Sequence, residues 1–414
     1  MTRMKDSGNP WVREFPSNWF EKKLRYLVEL RGEKSVTTDY KKYVGLENIM
    51  SQTGQYVQTG IEVDLTENLT FEVGDILFGK LRPYLRKYWR AEFSGTASSE
   101  FVIIKGSSLN LNFLFWAIQS DSFINDVDSS TYGSKMPRAS WEYMKNIKLP
   151  FPESIEEQAK IADFLDKKVA QLDKVKSLLK EQIKTLEDYR QSLIYETVTK
   201  GLDKTVPLKD SGVDWIGQIP EGWEIGRVKD CFILRTEKSY LRMEDVKLLS
   251  LYTEYGVFPH GEREEKGNKA VTTEGYKVVF KNDIVVNIIL AWMGSIGMSG
   301  YNGVTSPAYD IYKPLESICS RYYHYLFRTM AFSGQCYKYG RGIMKMRWRT
   351  YSNDFKIINV PIPCFEIQTQ IADFLDKKTE QINQMIAIKK EQIENINKQR
   401  QTLIYDYVTG KRRV

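Results

Sequence analysis

Two segments of this chain, 210 positions apart, carry the same eight residues: IADFLDKK at 161–168 returns unchanged at 371–378. The echo continues beyond them. Lys180 to Ile183 (KEQI) matches Lys390 to Ile393, and Arg190, Gln191, Leu193, Ile194 and Tyr195 match Arg400, Gln401, Leu403, Ile404 and Tyr405. Counted directly, 20 of 39 positions agree between 161–199 and 371–409. The opening of each unit repeats too: Lys5, Asp6, Ser7, Gly8, Trp11, Pro16 and Trp19 return as Lys209, Asp210, Ser211, Gly212, Trp215, Pro220 and Trp223. Between these anchors the halves diverge strongly. A fixed frame holding two different inserts fits a protein that recognises two different things at a set separation.

Residues 155–199 contain neither Gly nor Pro and are rich in Glu, Gln, Lys, Leu and Ala, which predicts one long helix. Leu165, Leu172, Leu179, Leu186 and Leu193 recur every seven residues, the spacing of a coiled-coil seam. Gly201 is a natural stop. At ~1.5 Å per residue, such a helix spans roughly 66 Å. A second helix is expected over 366–409, with Leu375, Ile382, Lys389, Ile396 and Leu403 as its seam. Lys389 is a polar break, which can set register at a cost in stability. Each seam needs a partner, and the other is the nearest. The expected arrangement is an antiparallel helical pair with a globular domain at each end and an approximate two-fold relation. The bland alternative packs each helix only on its own domain.

The segments before each helix read as mixed α/β. Strand-like runs at 43–46, 75–78 and 101–104 are separated by Gly, Asn, Asp and Ser, and 111–118 is the best helical candidate. Pro150 and Pro152 close the first block, and Pro361 and Pro363 close the second, because neither pair can continue a helix. The predicted class is α+β: two mixed domains, 1–153 and 202–363, joined by helices at 154–201 and 364–414.

With 42% apolar and 13% aromatic residues, the chain is not intrinsically disordered. A net charge of +7 admits a polyanionic partner without requiring one. Cys231, Cys319, Cys336 and Cys364 form no C-x-x-C pair and are expected to be reduced and mostly packing residues. The two histidines, His260 and His324, lack metal-ligand spacing, so no metal site is expected. The first eleven residues have no apolar h-region, and the most apolar stretch, 284–292, is too short to span a bilayer. A cytoplasmic protein without membrane contact is expected.

Gly74 to Leu81 (GDILFGKL) nearly matches a phosphate-binding loop, but Leu81 stands where the Mg²⁺-ligating hydroxyl belongs. A turn into a strand is the better reading, with Gly74 and Asn282 accepting positive φ. No methyl-transfer signature of the Asn-Pro-Pro-Tyr type occurs, nor a G-x-G-x-x-G loop after a strand. Asp163, Asp166, Asp373 and Asp376 are read as complementing helix dipoles rather than as catalytic acids.

Basic residues cluster where a reading surface could form. Lys80, Arg82, Arg86, Lys87 and Arg90 fall within eleven residues that hold no acid and include Tyr84, Tyr88 and Trp89. Arg341, Lys345, Arg347 and Arg349 form a second cluster, and Lys135 and Arg138 hold a comparable place in the first half. Such residues neutralise phosphates, and arginine also reads guanine edges. A solvated basic face is the alternative.

Taken together, these residues resemble the DNA-specificity subunit of type I restriction-modification systems. The carrying features are the duplicated layout, the W-x-x-x-(F/I)-P-x-x-W openings at 11–19 and 215–223, and the (G/N)-D-I turns at Gly74 and Asn282. The Pro-rich exits lead to Gln158 and Gln368 and then to the repeated IADFLD. The resemblance covers essentially the whole chain. It implies a non-catalytic subunit with two target-recognition domains, each reading half of a split DNA sequence across a gap set by the helices. It also implies two methyltransferase partners that use S-adenosylmethionine, and motor-nuclease subunits that use ATP and Mg. No cofactor is expected in this chain. A bivalent DNA-binding regulator without enzyme partners is the alternative.

Overall fold

The computed structural model describes the chain except residues 1–2, 37–41, 60–66, 134, 254, 263–272 and 344–347, and the side chain of Met243. The chain divides into two compact units. Residues 1–180 with 390–414 form the first, and 181–389 the second, so each unit takes half of each long helix.

In the first unit, Met4–Asn9 and Val12–Pro16 form an antiparallel hairpin. Phe20–Lys23 then pairs with Lys148–Phe151, tying the start of the domain to its Pro-rich exit. A four-stranded antiparallel sheet runs in the order Val28–Leu30, Phe101–Ser107, Ile76–Gly79, Tyr88–Arg90. A second sheet orders Lys34–Val36, Glu67–Phe71, Gly95–Ala97 and Lys42–Val44, the last pair parallel. Helices Leu111–Ala117, Asp121–Ser129 and Trp141–Met144 complete the domain. The second unit repeats the plan. Leu208–Asp210 pairs with Gln218–Pro220, and Glu224–Arg227 with Asn359–Ile362. Its main sheet orders Phe232–Arg235, Tyr309–Pro314, Ile284–Asn287 and Ile296–Met298. Ser320–Phe327, Met330–Tyr339 and Ser352–Phe355 are its counterpart helices.

The three strand readings fall on Lys42–Val44, Ile76–Gly79 and Phe101–Ser107. Asp121–Ser129 was not foreseen, since its run of Asp, Asn and Ser has low helix propensity. Ser120 caps it, and burial of Phe123, Ile124 and Val127 supplies what propensity does not.

The long helices are Ile155–Lys200 and Phe365–Val408, within a residue of the sequence reading. The octapeptide is repeated because of what it touches. Ile161, Ala162 and Leu165 are buried in the first core together with Ile404, Tyr407 and Val408. Ile371, Ala372 and Leu375 are buried in the second with Val198. Each copy therefore joins a domain, its own helix and the far end of the other helix. Gln158 and Gln368 repeat for the same reason. The buried amide of Gln158 accepts from Asn110 N and donates to Pro152 O, both at 2.8 Å. Gln368 accepts from Cys319 N at 2.8 Å and donates to Pro363 O at 2.7 Å.

Within each unit the two helices run antiparallel, as expected. In the first, Phe164 packs on Tyr407 at 4.5 Å, and Lys176 Nζ donates to Asn397 Oδ1 at 2.7 Å. In the second, Lys389 Nζ donates to Gln182 Oε1 at 2.7 Å, so the polar break has a cross-helix acceptor. None of Leu165, Leu172, Leu179, Leu186, Leu193, Leu375, Ile382, Ile396 and Leu403 is fully exposed. A second stripe, four residues further on, completes the seam: Val169, Lys176, Ile183, Arg190 and Thr197, with Thr379, Ile386, Ile393, Arg400 and Tyr407. Two of its arginines occupy equivalent places. Arg190 donates to Asn383, and Arg400 pairs with Asp173, 210 positions from Asn383.

The helix ends dock on the aromatic openings. Gly201 and Gly410 both adopt left-handed backbone, at φ 70° and 71°. A Cβ on Gly410 would lie 2.6 Å from the Pro16 ring and 3.0 Å from Trp19, while one on Gly201 would meet Trp223 at 3.3 Å. We expect Gly410→Ala to destabilise the first unit by more than the ~1 kcal/mol of backbone strain alone. Gly201→Ala should cost the second unit little beyond that strain. Thermal unfolding of both variants checks the order, and equal shifts would show that the close approach at Gly410 carries no weight.

Candidate nucleic-acid interface

Each domain holds its loops on the same staple. In the first, Gly74 is left-handed at φ 90° and the buried Asp75 follows. Asp75 accepts from Arg31 Nε at 2.7 Å and from Glu72 N at 2.9 Å. In the second, Asn282 is left-handed at φ 74°, and Asp283 accepts from Arg235 Nε at 2.9 Å and from Phe280 N at 2.8 Å. The staple fixes the strand that follows, and a loop leaves its far end: residues 80–87 in one domain and 288–295 in the other. A second loop is tied beside it in each. Ala139 N donates to Lys80 O at 2.9 Å, and Thr350 N donates to Ile288 O at 2.8 Å.

The first loop pair carries most of the basic cluster. Arg82 and Arg86 are both left-handed, at φ 51° and 54°, a conformation non-glycine residues adopt rarely and often at functional sites. Arg82 Nη2 donates to Lys135 O at 3.0 Å, and its amide donates to Pro137 O, so the loops are bolted together here. Lys135, Tyr84, Tyr132 and Met136 are exposed around it. Lys80 and Tyr132 line a cavity of about 360 Å³ beside Arg31 and Trp141.

The remaining basic residues are placed differently. Arg86, itself only 16% exposed, forms a partly buried ion pair with Asp121, whose side chain is 44% exposed. Lys87 Nζ donates to Leu46 O and Ile49 O, both at 2.8 Å. Their charged heads build the loop from inside. Arg138 grips Glu100 with two nitrogens, at 2.8 and 3.1 Å, and its side chain is 40% exposed. Arg90 is exposed at the edge of its sheet.

In the second domain, Arg341 and Arg349 face each other across a backbone bridge, at 2.8 and 2.9 Å. Arg341 Nη2 donates to Asp354 at 2.6 Å while its side chain stays 74% exposed. Lys345 and Arg347 lie outside the described residues. Trp348 stacks on Tyr337 at 4.8 Å, and Tyr337 meets Trp292 at 5.9 Å, which braces the two loops against each other. Leu290 and Met293, both exposed, were not singled out from the sequence. Counting onward from the repeated Asp would have found them, because Leu290 stands as far from Asp283 as Arg82 stands from Asp75.

The aspartates of the octapeptides lie two turns or more into their helices, beyond the first-turn reach of the dipole. Three of the four take side-chain partners instead. Asp166 accepts from Trp116 Nε1 at 2.9 Å. Asp373 and Asp376 each accept from Arg321 at 2.7 Å, and Tyr325 donates to Asp376 at 2.7 Å. Lys167, Lys168, Lys377 and Lys378 remain exposed. Among the described residues, no group of three or more His, Cys, Asp and Glu is placed to hold a metal ion, and no helix is long and apolar enough to cross a membrane.

Comparison with known proteins places this frame. The profile of the type I restriction modification DNA specificity domain matches twice, over 16–187 and 220–396. A type I restriction enzyme MjaVIII specificity subunit from Methanocaldococcus jannaschii is 24% identical over 73% of this chain and 70% of its own length. The EcoDI specificity subunit from Escherichia coli is 23% identical over 46% of this chain, and only 44% of that subunit is spanned. A structure described as showing complex assembly and conformational transition of the type I R-M system superposes at a TM-score of 0.71. It covers 96% of this chain and 100% of that one, at 17% identity. The HsdS subunit from Thermoanaerobacter tengcongensis gives a TM-score of 0.55 over 98% of this chain and 100% of its own, at 18% identity. With the specificity domain occurring twice on a duplicated frame, the chain belongs to the type I restriction-modification DNA-specificity family.

Proposed function

We propose that each domain reads one half of a split, asymmetric duplex sequence through its paired loops, and that the helices set the gap. One observation carries this reading: the same arginine–aspartate staple holds loops of unlike side chains in the two domains. In the first, Lys80, Arg82, Lys135 and Arg138 supply charge and hydrogen-bond donors, with Arg90 at the flank. In the second, Arg341 and Arg349, with Lys345 and Arg347, supply charge. Phosphate contacts position a duplex and base-edge contacts specify it. The working boundaries we propose are 1–153 and 202–363 for recognition, and 154–201 and 364–414 for the spacer.

The chain supplies recognition, while the chemistry belongs to partners. Two methyltransferase subunits using S-adenosylmethionine would dock on the repeated helical faces, since a frame written twice offers one surface to two identical partners. Restriction subunits using ATP and Mg would complete the assembly, in the cytoplasm. This chain itself would bind no cofactor.

The deciding experiment is a genome-wide adenine-methylation map of the host with and without this chain. Loss of one split motif is the expected result. If no motif disappears and the purified chain still binds one sequence tightly, the stand-alone regulator replaces this reading. Arg82→Ala should weaken binding by roughly 10- to 100-fold, the worth of a bidentate base contact. Unchanged affinity would move the reading surface elsewhere.

A further inference from the structure

The two reading loops occupy the same place in their domains but offer opposite chemistry. Arg86 and Gly294 are both left-handed and each closes its loop, Arg86 N donating to Pro83 O and Gly294 N to Ala291 O. Counting back from them pairs buried Pro83 with buried Ala291, and Arg82 with Leu290. Leu85 likewise pairs with Met293. An arginine in one domain is thus a leucine in the other.

The second loop has little else to offer a ligand. The amides of residues 289, 290, 293, 294 and 295 are all bonded within it, to Asn287, Leu290 and Ala291. The Trp292 indole N–H donates to Ile289 O at 3.0 Å. What remains outward is Leu290, 36% exposed, and Met293, 54% exposed. The basic hairpin bearing Arg341 and Arg349 is tied to this loop through Thr350. A polyanion held by that hairpin would meet a rigid apolar tip.

We infer that the second domain reads thymine C5-methyl groups in the major groove through Leu290 and Met293. This rests on the paired loops being the reading surface. Among base edges only thymine presents a methyl group there, and an apolar side chain is its complement. The first domain, with Arg82 at the same position, is suited to guanine. Charge favours DNA over a protein partner, because the apolar tip is flanked by arginines and its counterpart is itself cationic.

The test is selection of the full-length chain on a random-sequence duplex pool, followed by affinity for the enriched duplex and for a twin made with deoxyuridine in place of thymidine. The twin lacks only the methyl groups. We expect thymine in one half-site and binding to the twin roughly fourfold weaker per contacted thymine, the worth of one buried methyl. Leu290→Ala with Met293→Ala should abolish the difference between twins, and Leu290→Met should keep it. Equal affinity for both twins, or a difference that persists in the double variant, overturns the inference and leaves DNA reading intact. Failure of any sequence to enrich overturns the DNA reading itself.

Discussion

Removing residues 179–185 and 388–394 together should abolish recognition of the original site, with affinity falling by about 10²- to 10⁴-fold. That range is what linking two weak contacts gains over either alone. The heptad makes the deletion conservative for folding. Leu172 is followed by Leu186 in one helix and Ile382 by Ile396 in the other, so both seams continue in phase. The cross-helix contacts Lys176–Asn397, Asp173–Arg400 and Arg190–Asn383 lie outside the deleted segments, and Lys389 and Gln182 are removed together. Seven residues shorten a helix by about 10 Å, or about three base pairs of duplex. Any motif that replaces the original should therefore keep both half-sites and carry a gap shorter by about three base pairs. Deleting only 179–185 shifts one helix against the other and should lose every motif. The methylation map reads all three outcomes. An original gap that survives the matched deletion would mean the helices are not the ruler.

The helices were legible because their signal is redundant: a heptad, an absence of Gly and Pro, and a repeat that marks the same eight residues twice. Only half of the seam could be read, however. The companion stripe contains Lys176, Arg190, Thr197, Thr379 and Arg400, which a search for apolar periodicity passes over. Lys176, Arg190 and Arg400 are tolerated there because their heads find partners across the seam, while the Thr379 hydroxyl donates back to Leu375 O of its own helix. The candidate site was legible as charge and not as geometry. Arg82 and Arg86 look alike in sequence, but one head bridges two surface loops and the other is spent on Asp121 at the start of a helix. Leu290 gave no signal in its own chemistry, only in its spacing from Asp283, since an apolar residue in an apolar run reads as core until the fold exposes it.

The staple is the second place where a single change should have a large effect. Asp283 is buried, and burial pushes its carboxyl above the usual carboxylate range even with the Arg235 guanidinium against it. The pair thus recovers only part of the cost of leaving water, as buried pairs often do. Asp283→Ala leaves Arg235 without its bidentate acceptor, although Glu237 remains 3.0 Å away, and also frees the Phe280 amide. We expect a loss of about 3–5 kcal/mol, the usual result of removing one member of a buried pair. It should be confined to the unfolding transition of the second unit. Replacing both partners with apolar residues of similar volume, Arg235→Met with Asp283→Leu, should return most of that loss, because no charge is left buried alone. The effect on recognition separates this experiment from the helix deletion. Asn282 and Asp283 aim the strand that delivers the 288–295 loop, so Asp283→Ala should degrade one half-site and leave the other half-site and the gap unchanged. A variant within about 1 kcal/mol of the parent would show that the turn is held by its backbone alone. The arginine–aspartate pair would then have to be kept for something other than rigidity.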